Sequence, residues 1–323
     1  GDVTDMIETA QQKVMAVGDD KNYEAQTIGE GLPAWLEELD RKFNADVEFD
    51  GIRWGFNNLD QQAGALSKGN LIILAARPAM GKTALALNLA TYAAKHHGHV
   101  LFFSLEMPKQ ELINRVMSAE SGVLQDRILK PKQMQDPDWK SLQATMRQVM
   151  NYPITIDDRG GIKLAEIKAT ARRQHRKTPL SMIVIDYLQL VQGERQKGDS
   201  KSVEVGSISN ACKALAKELD LPIVLLSQLN RGVDGRSDKR PQMSDLRDSG
   251  EIEQDADKIA FIYRDVVYNP DSPDKDYAEI IISKNRNGRT GRVPLRFEGH
   301  LSRFVNEQHE FAEPKKEQAI GAY

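Results

Sequence analysis

Residues Ala76-Arg77-Pro78-Ala79-Met80-Gly81-Lys82-Thr83 constrain this chain more than any other stretch, because they read as a phosphate-binding loop between a strand and a helix. Leu71-Ile72-Ile73-Leu74-Ala75 before them is an apolar run of strand length. Thr83 to Lys95 after them is rich in Ala and Leu, with Leu85, Leu89 and Tyr92 on one helical face. In that setting Gly81 lets the backbone approach phosphate oxygens, and the helix N-terminus offers unpaired N–H groups at its positive dipole end. Lys82 neutralises β- and γ-phosphate charge, and Thr83 is the expected Mg²⁺ ligand. Arg77, Pro78, Ala79, Met80, Gly81, Lys82, Thr83 and Ala84 are thus the expected nucleotide-binding stretch. A strict phosphate loop opens on glycine where this one has Ala76, so the flanking strand and helix carry the reading against an ordinary glycine turn.

With 323 residues the chain has room for one large α/β domain and an appendage. A formal net charge of −3 means that attraction to a polyanion has to come from local basic segments. The single cysteine, Cys212, leaves no internal disulfide, fits a reducing compartment and, on a helix, reads as a buried thiol. No apolar run reaches membrane-span length and the N-terminal residues are polar and acidic. The sequence therefore reads as cytoplasmic with no membrane partner.

Along the chain, Val3, Ile7, Ala10, Val14 and Val17 form a helical apolar stripe that Gly18 ends, followed by a polar linker to Gly31. A striped helix tethered away from its own domain is expected to bury the stripe on another chain, so residues 1–31 read as a docking appendage. Pro33 is expected to open a second helix whose Trp35, Leu36, Leu39 and Phe43 share a face, and residues 32–306 form the main domain. Past the phosphate loop, strands are expected at Val100–Ser104, Ile154–Ile156, Met182–Asp186 and Ile223–Ser227, alternating with helices near Lys109–Ser121, Leu164–Arg176 and Val203–Leu219. That order gives a mostly parallel sheet flanked by helices. Lys258–Tyr263, Ala278–Ser283 and Val293–Phe297 extend the sheet, and 307–323 reads as a polar, disordered tail.

Two strands end in carboxylates. Asp186 closes Ile183-Val184-Ile185 and is the expected Mg²⁺ partner of Thr83; Glu106 follows Leu101–Leu105 and is the candidate base for a hydrolytic water. Gln228, after Ile223–Ser227, is an uncharged amide suited to sensing a γ-phosphate. Lys284 and Arg286 share one side of an extended segment, which fits either a solvated strand edge or cations that reach a neighbouring subunit's nucleotide. The glycine-rich stretch from Gln228 to Gln254, with Arg231 and Arg247, and the segment Gly193–Ser202, with Arg195 and Lys197, read as loops for a nucleic-acid backbone or as plain surface loops. Without interleaved aromatics they favour sequence-independent phosphate contacts.

Taken together, Ala76–Thr83, Ser104-Leu105-Glu106-Met107, Ile185-Asp186-Tyr187-Leu188-Gln189-Leu190, Leu226-Ser227-Gln228-Leu229-Asn230-Arg231, Ser244-Asp245-Leu246-Arg247 and Lys284-Asn285-Arg286-Asn287-Gly288 resemble the ATPase domain of the DnaB family of replicative DNA helicases, bacterial and phage. The resemblance runs from the first helix to Phe304. It implies a RecA-like P-loop NTPase fold preceded by a protruding linker helix, a homohexamer, and ATP with Mg²⁺ driving 5′→3′ translocation on single-stranded DNA. It also implies a helicase loader as partner. Carried over, Lys82, Thr83, Asp186, Glu106 and Gln228 keep the roles above, Lys284 and Arg286 act across the subunit boundary, and Arg247, Asp248 and Gly250 match the loop that grips DNA. Asp248 stands where glutamate is common in the family and Leu301 where tryptophan is frequent. The family's helical N-terminal domain has no counterpart in these residues, which leaves primase docking open. A recombinase that forms filaments and a non-catalytic DNA clamp stand as alternatives, the latter opposed by Glu106.

Overall fold

The computed structural model describes residues 27–44, 50–191, 201–246 and 249–311. The expected first helix, Val3 to Val17, lies outside them. Two compact units divide between Glu48 and Phe49, so the boundary falls later than the 31/32 junction expected from Pro33. In the first unit, helix α1 (Ile28–Asn44) starts before Pro33 because Thr27 and Glu30 make the opening turn. The Glu30 carboxylate accepts from the Thr27 N–H at 2.6 Å and the Thr27 hydroxyl accepts from the Glu30 N–H at 3.3 Å. Ile28, Leu32, Trp35, Leu36, Leu39 and Phe43 are exposed on it, and the helix buries no residue of its own.

The second unit is built on a sheet that has nine strands among the described residues, in the order β3-β2-β4-β5-β1-β6-β7-β8-β9. β1 (Leu71–Ala76), β2 (His99–Ser104), β3 (Ile154–Asp157), β4 (Leu180–Asp186), β5 (Ile223–Gln228) and β6 (Lys258–Tyr263) run parallel. β7 (Tyr277–Asn285), β8 (Gly291–Glu298) and β9 (Arg303–Val305) extend it antiparallel. β1 is central and buried throughout, and its alternating side chains feed two cores. Ile72, Leu74 and Ala76 join the cluster beneath α3 (Lys82–His96) and α4 (Lys109–Ser121). Leu71, Ile73 and Ala75 join the one beneath α7 (Leu164–Lys177) and α8 (Lys201–Leu219). This is why the strand reads as an unbroken apolar run: both faces of a parallel sheet are covered.

Sequence periodicity places most of these elements to within a few residues but gives no signal for β9 or for four helices, of which α9 (Ser249–Asp255) is short and polar. α2 (Asn57–Ala63), α5 (Gln125–Leu129) and α6 (Asp136–Val149) are polar or amphipathic, and the last is set by a capping box at Gln135 and Asp138. Cys212 on α8 is buried, as expected, and burial pushes its thiol up to about 12. The C-terminal segment is ordered past residue 306. The Tyr277 hydroxyl donates to Glu307 at 2.9 Å, and the His309 ring stacks on Tyr277 with centroids 3.7 Å apart while pairing with Asp274 at 2.6 Å. An expected tail from Glu307 is thus docked as far as Phe311, because Tyr277 and Asp274 give its polar side chains partners; residues 312–323 lie outside the described range. Among the described residues no helix is long and apolar enough to cross a membrane.

Candidate nucleotide-binding site

The C-terminal ends of β1, β5, β4 and β2 come together, since Ala76 pairs with Gln228 and Ser104 with Asp186. A cleft of about 260 Å³ opens above them. It is lined by Arg77, Pro78, Ala79, Gly81, Lys82, Thr83 and Ala84 from the loop, Glu106 and Met107 after β2, Arg115 from α4, Tyr187 after β4, and Gln228. Met80 of the expected stretch is buried beneath the loop, its sulfur 3.3 Å from the Arg264 backbone nitrogen. The Arg264 side chain also donates to the Ala79 carbonyl at 3.1 Å and lies over the Phe297 ring at 4.4 Å, so the underside of the loop is clamped.

The departure at Ala76 is accounted for by its position. It sits in regular strand with no positive φ, where a methyl group costs nothing. Gly81 is the glycine the turn needs: its φ is +94°, and a Cβ there would lie 2.9 Å from Phe304 Cζ. Ala79 also holds a positive φ, +65°, uncommon for a residue with a side chain.

At the cleft floor the Thr83 hydroxyl donates to Asp186 Oδ2 at 2.7 Å, and Lys82 Nζ lies 3.4 Å from Asp186 Oδ1. Asp186 is 1% exposed, and Oδ1 accepts no hydrogen bond. A buried carboxylate oxygen that accepts no hydrogen bond and has only the Lys82 ammonium at ion-pair distance, next to a hydroxyl, is a donor set that fits a hard cation such as Mg²⁺. Burial lowers the Lys82 pKa, and Asp186 and then Glu106 oppose that shift. The Tyr187 ring lies 4.4 Å from Lys82 Nζ, and burial raises its own pKa. Phosphates entering the cleft would restore the solvation that the ammonium lacks.

Glu106 stands exposed at the mouth of the cleft. Its turn is shaped by the Ser104 hydroxyl donating to the Met107 carbonyl at 2.6 Å and by the Leu105 N–H donating to the Asp186 carbonyl at 2.7 Å. Gln228 is held through its backbone: Gln189 accepts from the Gln228 N–H at 3.3 Å and donates to the Gln228 carbonyl at 3.2 Å and the Ser227 hydroxyl at 3.0 Å. The sequence gives Arg115, Tyr187 and Gln189 no role of their own. Tyr187 and Gln189 flank the Asp186 motif and are within reach of a sequence reading. Arg115 is one cation on an amphipathic helix and gave no signal. Arg77 lines the cleft, but its guanidinium turns away from it, to both oxygens of Asp234 at 3.2 and 2.6 Å and to the Leu229 carbonyl at 3.0 Å.

Lys284 and Arg286 are absent from this cleft. Arg286 lies level with Leu71, through Asp257, whose backbone bonds both, so it is about 17 Å along the strands from Ala76 at ~3.3 Å per residue. Of the expected DNA-binding residues, Arg231 is exposed on a 3₁₀ turn (Arg231–Gly235), and Gly250 is exposed at the start of α9 (Ser249–Asp255) with open space around it. Arg247, Asp248, Arg195 and Lys197 lie outside the described residues. The other cations between Gln228 and Arg247 are taken up internally: Arg236 forks onto Asp245 at 3.0 and 2.7 Å, and Arg240 pairs with Glu279 at 2.6 Å.

A strand–loop–helix cradle for phosphates, with a carboxylate and a glutamine at the tips of neighbouring parallel strands, defines a RecA-like P-loop ATPase. A family model described as DnaB-like helicase C terminal domain matches residues 51–306, and the chain belongs to that family. It is 43% identical over 310 residues to the replicative DNA helicase DnaB of Geobacillus stearothermophilus, covering 95% of this chain and 68% of that protein. To the replicative DNA helicase DnaC of Bacillus subtilis it is 42% identical over 312 residues, covering 96% and 68%. Among solved structures, one described as an ATPase domain superposes with a TM-score of 0.83 at 37% identity, covering 88% of this chain and all of that one. A DnaB-like replicative helicase described with its primase interactions gives 0.80 at 36%, covering 94% and 72%.

Proposed function

We propose that this chain is the motor of a replicative DNA helicase: a homohexamer that binds ATP between subunits and moves 5′→3′ along single-stranded DNA, parting the duplex at a fork. The observation that carries it is the split of the site. Lys82, Thr83, Asp186, Glu106 and Gln228 meet in one cleft, while Lys284 and Arg286 sit at the opposite end of the same sheet, so one copy alone lacks the cations that family resemblance assigns to the reaction. Glu106 draws the proton from the attacking water. Lys82 and the loop N–H groups hold the phosphates in line, and the Arg286 and Lys284 side chains of an adjacent copy stabilise charge on the transferred phosphoryl group. Mg²⁺, held by Thr83 and Asp186 with phosphate oxygens, would neutralise developing charge there. Gln228, on a strand end fixed by Gln189, follows the γ-phosphate and passes its loss to the segment carrying Arg247, Asp248 and Gly250, the last in the first turn of α9. Arg231, Arg195 and Lys197 add phosphate contacts to the strand.

The exposed apolar face of α1 supports a contact with a second copy of this chain, which would cover Trp35, Leu36 and Phe43 and help close the ring. A loader protein that opens the ring and a primase are the further partners this reading admits, and the compartment is the cytoplasm. The test is ATP turnover with and without single-stranded DNA, together with unwinding of forks carrying only a 5′ or only a 3′ tail. Stimulation by DNA and unwinding that requires the 5′ tail are expected. A Lys82→Ala chain that still parts a fork would overturn the proposal.

A further inference from the structure

The two cations assigned to the neighbour's nucleotide are not loose on the surface of their own subunit. Arg286 is fixed at three points: its N–H donates to the Asp257 carbonyl at 2.9 Å, one guanidinium nitrogen lies 3.3 Å from Asp257 Oδ1, and another donates to the Gln254 carbonyl at 2.6 Å. Lys284 Nζ donates to the Glu253 carbonyl. The Asp257 side chain is 8% exposed, whereas the Arg286 side chain is 48% exposed, which leaves a face of the guanidinium open to a ligand from outside the chain. The other Asp257 oxygen, Oδ2, faces inward, where it accepts from the Leu71 N–H at 2.7 Å and pairs with Lys213 Nζ at 2.6 Å. One carboxylate therefore bridges the first residue of β1, the helix α8 and the guanidinium. Glu253 and Gln254 belong to α9, the helix that directly follows Arg247 and Asp248.

We infer that Asp257 is the positioning residue for Arg286: it locks the guanidinium to the start of β1, so that the open face is presented at a fixed height to the nucleotide held by an adjacent copy. This rests on the proposal that Arg286 acts across the subunit boundary. A guanidinium supported on one side by a carboxylate and a helix-end carbonyl keeps its remaining N–H donors aimed at phosphate, and the arrangement loses no side-chain freedom when the phosphate arrives. With asparagine at 257 the inner position still needs an acceptor for Leu71 and Lys213, so the amide NH₂ turns toward Arg286 and meets it donor to donor.

The experiment compares Asp257→Asn, Asp257→Glu, Arg286→Ala and Asp257→Asn/Arg286→Ala in the assembled protein, measuring DNA-stimulated kcat, KM for ATP and nucleotide-analogue affinity. Asp257→Asn is expected to lower kcat about 10- to 100-fold, the range for a catalytic group displaced by about an ångström, with KM and analogue affinity within about twofold. In the Arg286→Ala background it should cost nothing further. Asp257→Glu keeps the charge for Leu71 and Lys213 but moves it by one methylene, and it should fold and show the same selective loss, which decides the matter should the asparagine chain not fold. Mixing Asp257→Asn chains with Lys82→Ala chains should give more activity than either alone, because each supplies what the other lacks at one kind of interface. Wild-type kcat in both single variants, additive losses with Arg286→Ala, or weakened nucleotide binding with no gain on mixing would each overturn the role of Asp257. Full activity of Arg286→Ala itself would instead remove the across-boundary reading and this inference with it.

Discussion

Gly81 and Ala76 carry opposite lessons about the same loop. At Gly81 the backbone needs a positive φ and an absent side chain at once, because the Phe297 and Phe304 rings close on the position from below. Gly81→Ala is expected to destabilise the protein by about 1–3 kcal/mol, visible as a lowered melting temperature, and to weaken nucleotide binding beyond that, since the loop must shift to relieve the contact. Ala76→Gly, which restores the strict motif, should bring no gain in ATP affinity. It should cost roughly 0.5–1 kcal/mol, because glycine adds backbone freedom to an unfolded strand residue. Asp186→Ala would leave the Thr83 hydroxyl and the Lys82 ammonium without their shared partner; titration with Mg²⁺ at fixed ATP should then require more metal for half-maximal turnover, with the fold retained.

Between β5 and α9 the chain has little apolar content, and this is where sequence legibility gives out. The strands and their carboxylate or amide tips could be read because burial on both faces leaves a plain apolar signature ending in one polar residue. The path from Leu229 to Leu246 is instead held by ion pairs between residues far apart in sequence, Arg240 to Glu279 and Arg77 to Asp234, which no local pattern encodes. The Arg77 clasp ties the phosphate loop to the first turn after Gln228, whereas position in the loop alone points Arg77 at the nucleotide. The guanidinium holds the Asp234 carboxyl below the usual aspartate range, with Tyr268 adding a hydrogen bond. A carboxyl depressed in the folded state contributes stability in full above its unfolded pKa, about 3.9, and loses it as pH falls through the lower folded value. The melting difference between wild type and Asp234→Asn should therefore be constant across neutral pH and shrink below about pH 4. Arg286 is a further case: its spacing from Lys284 was visible, but its placement at the far end of the sheet follows from β7 running antiparallel to β6.

At the scale of the whole molecule, α1 belongs to a unit of its own and, among the described residues, presents an apolar face with no buried core, which supports a partner on another chain. Leu36→Glu changes a side chain that is 59% exposed and should leave the melting temperature of the ATPase unit unchanged. Light scattering should show smaller particles than wild type, and DNA-stimulated turnover should fall in parallel. Cys212 adds a practical consequence. The chain has a single sulfhydryl, sealed inside the second unit and kept protonated, so maleimide chemistry on the native fold should find nothing to modify. A reporter dye attached through Lys132→Cys, on an exposed 3₁₀ turn (Pro131–Gln133) away from the cleft, would then go to that position alone, so its emission would follow the second unit without background from the native thiol.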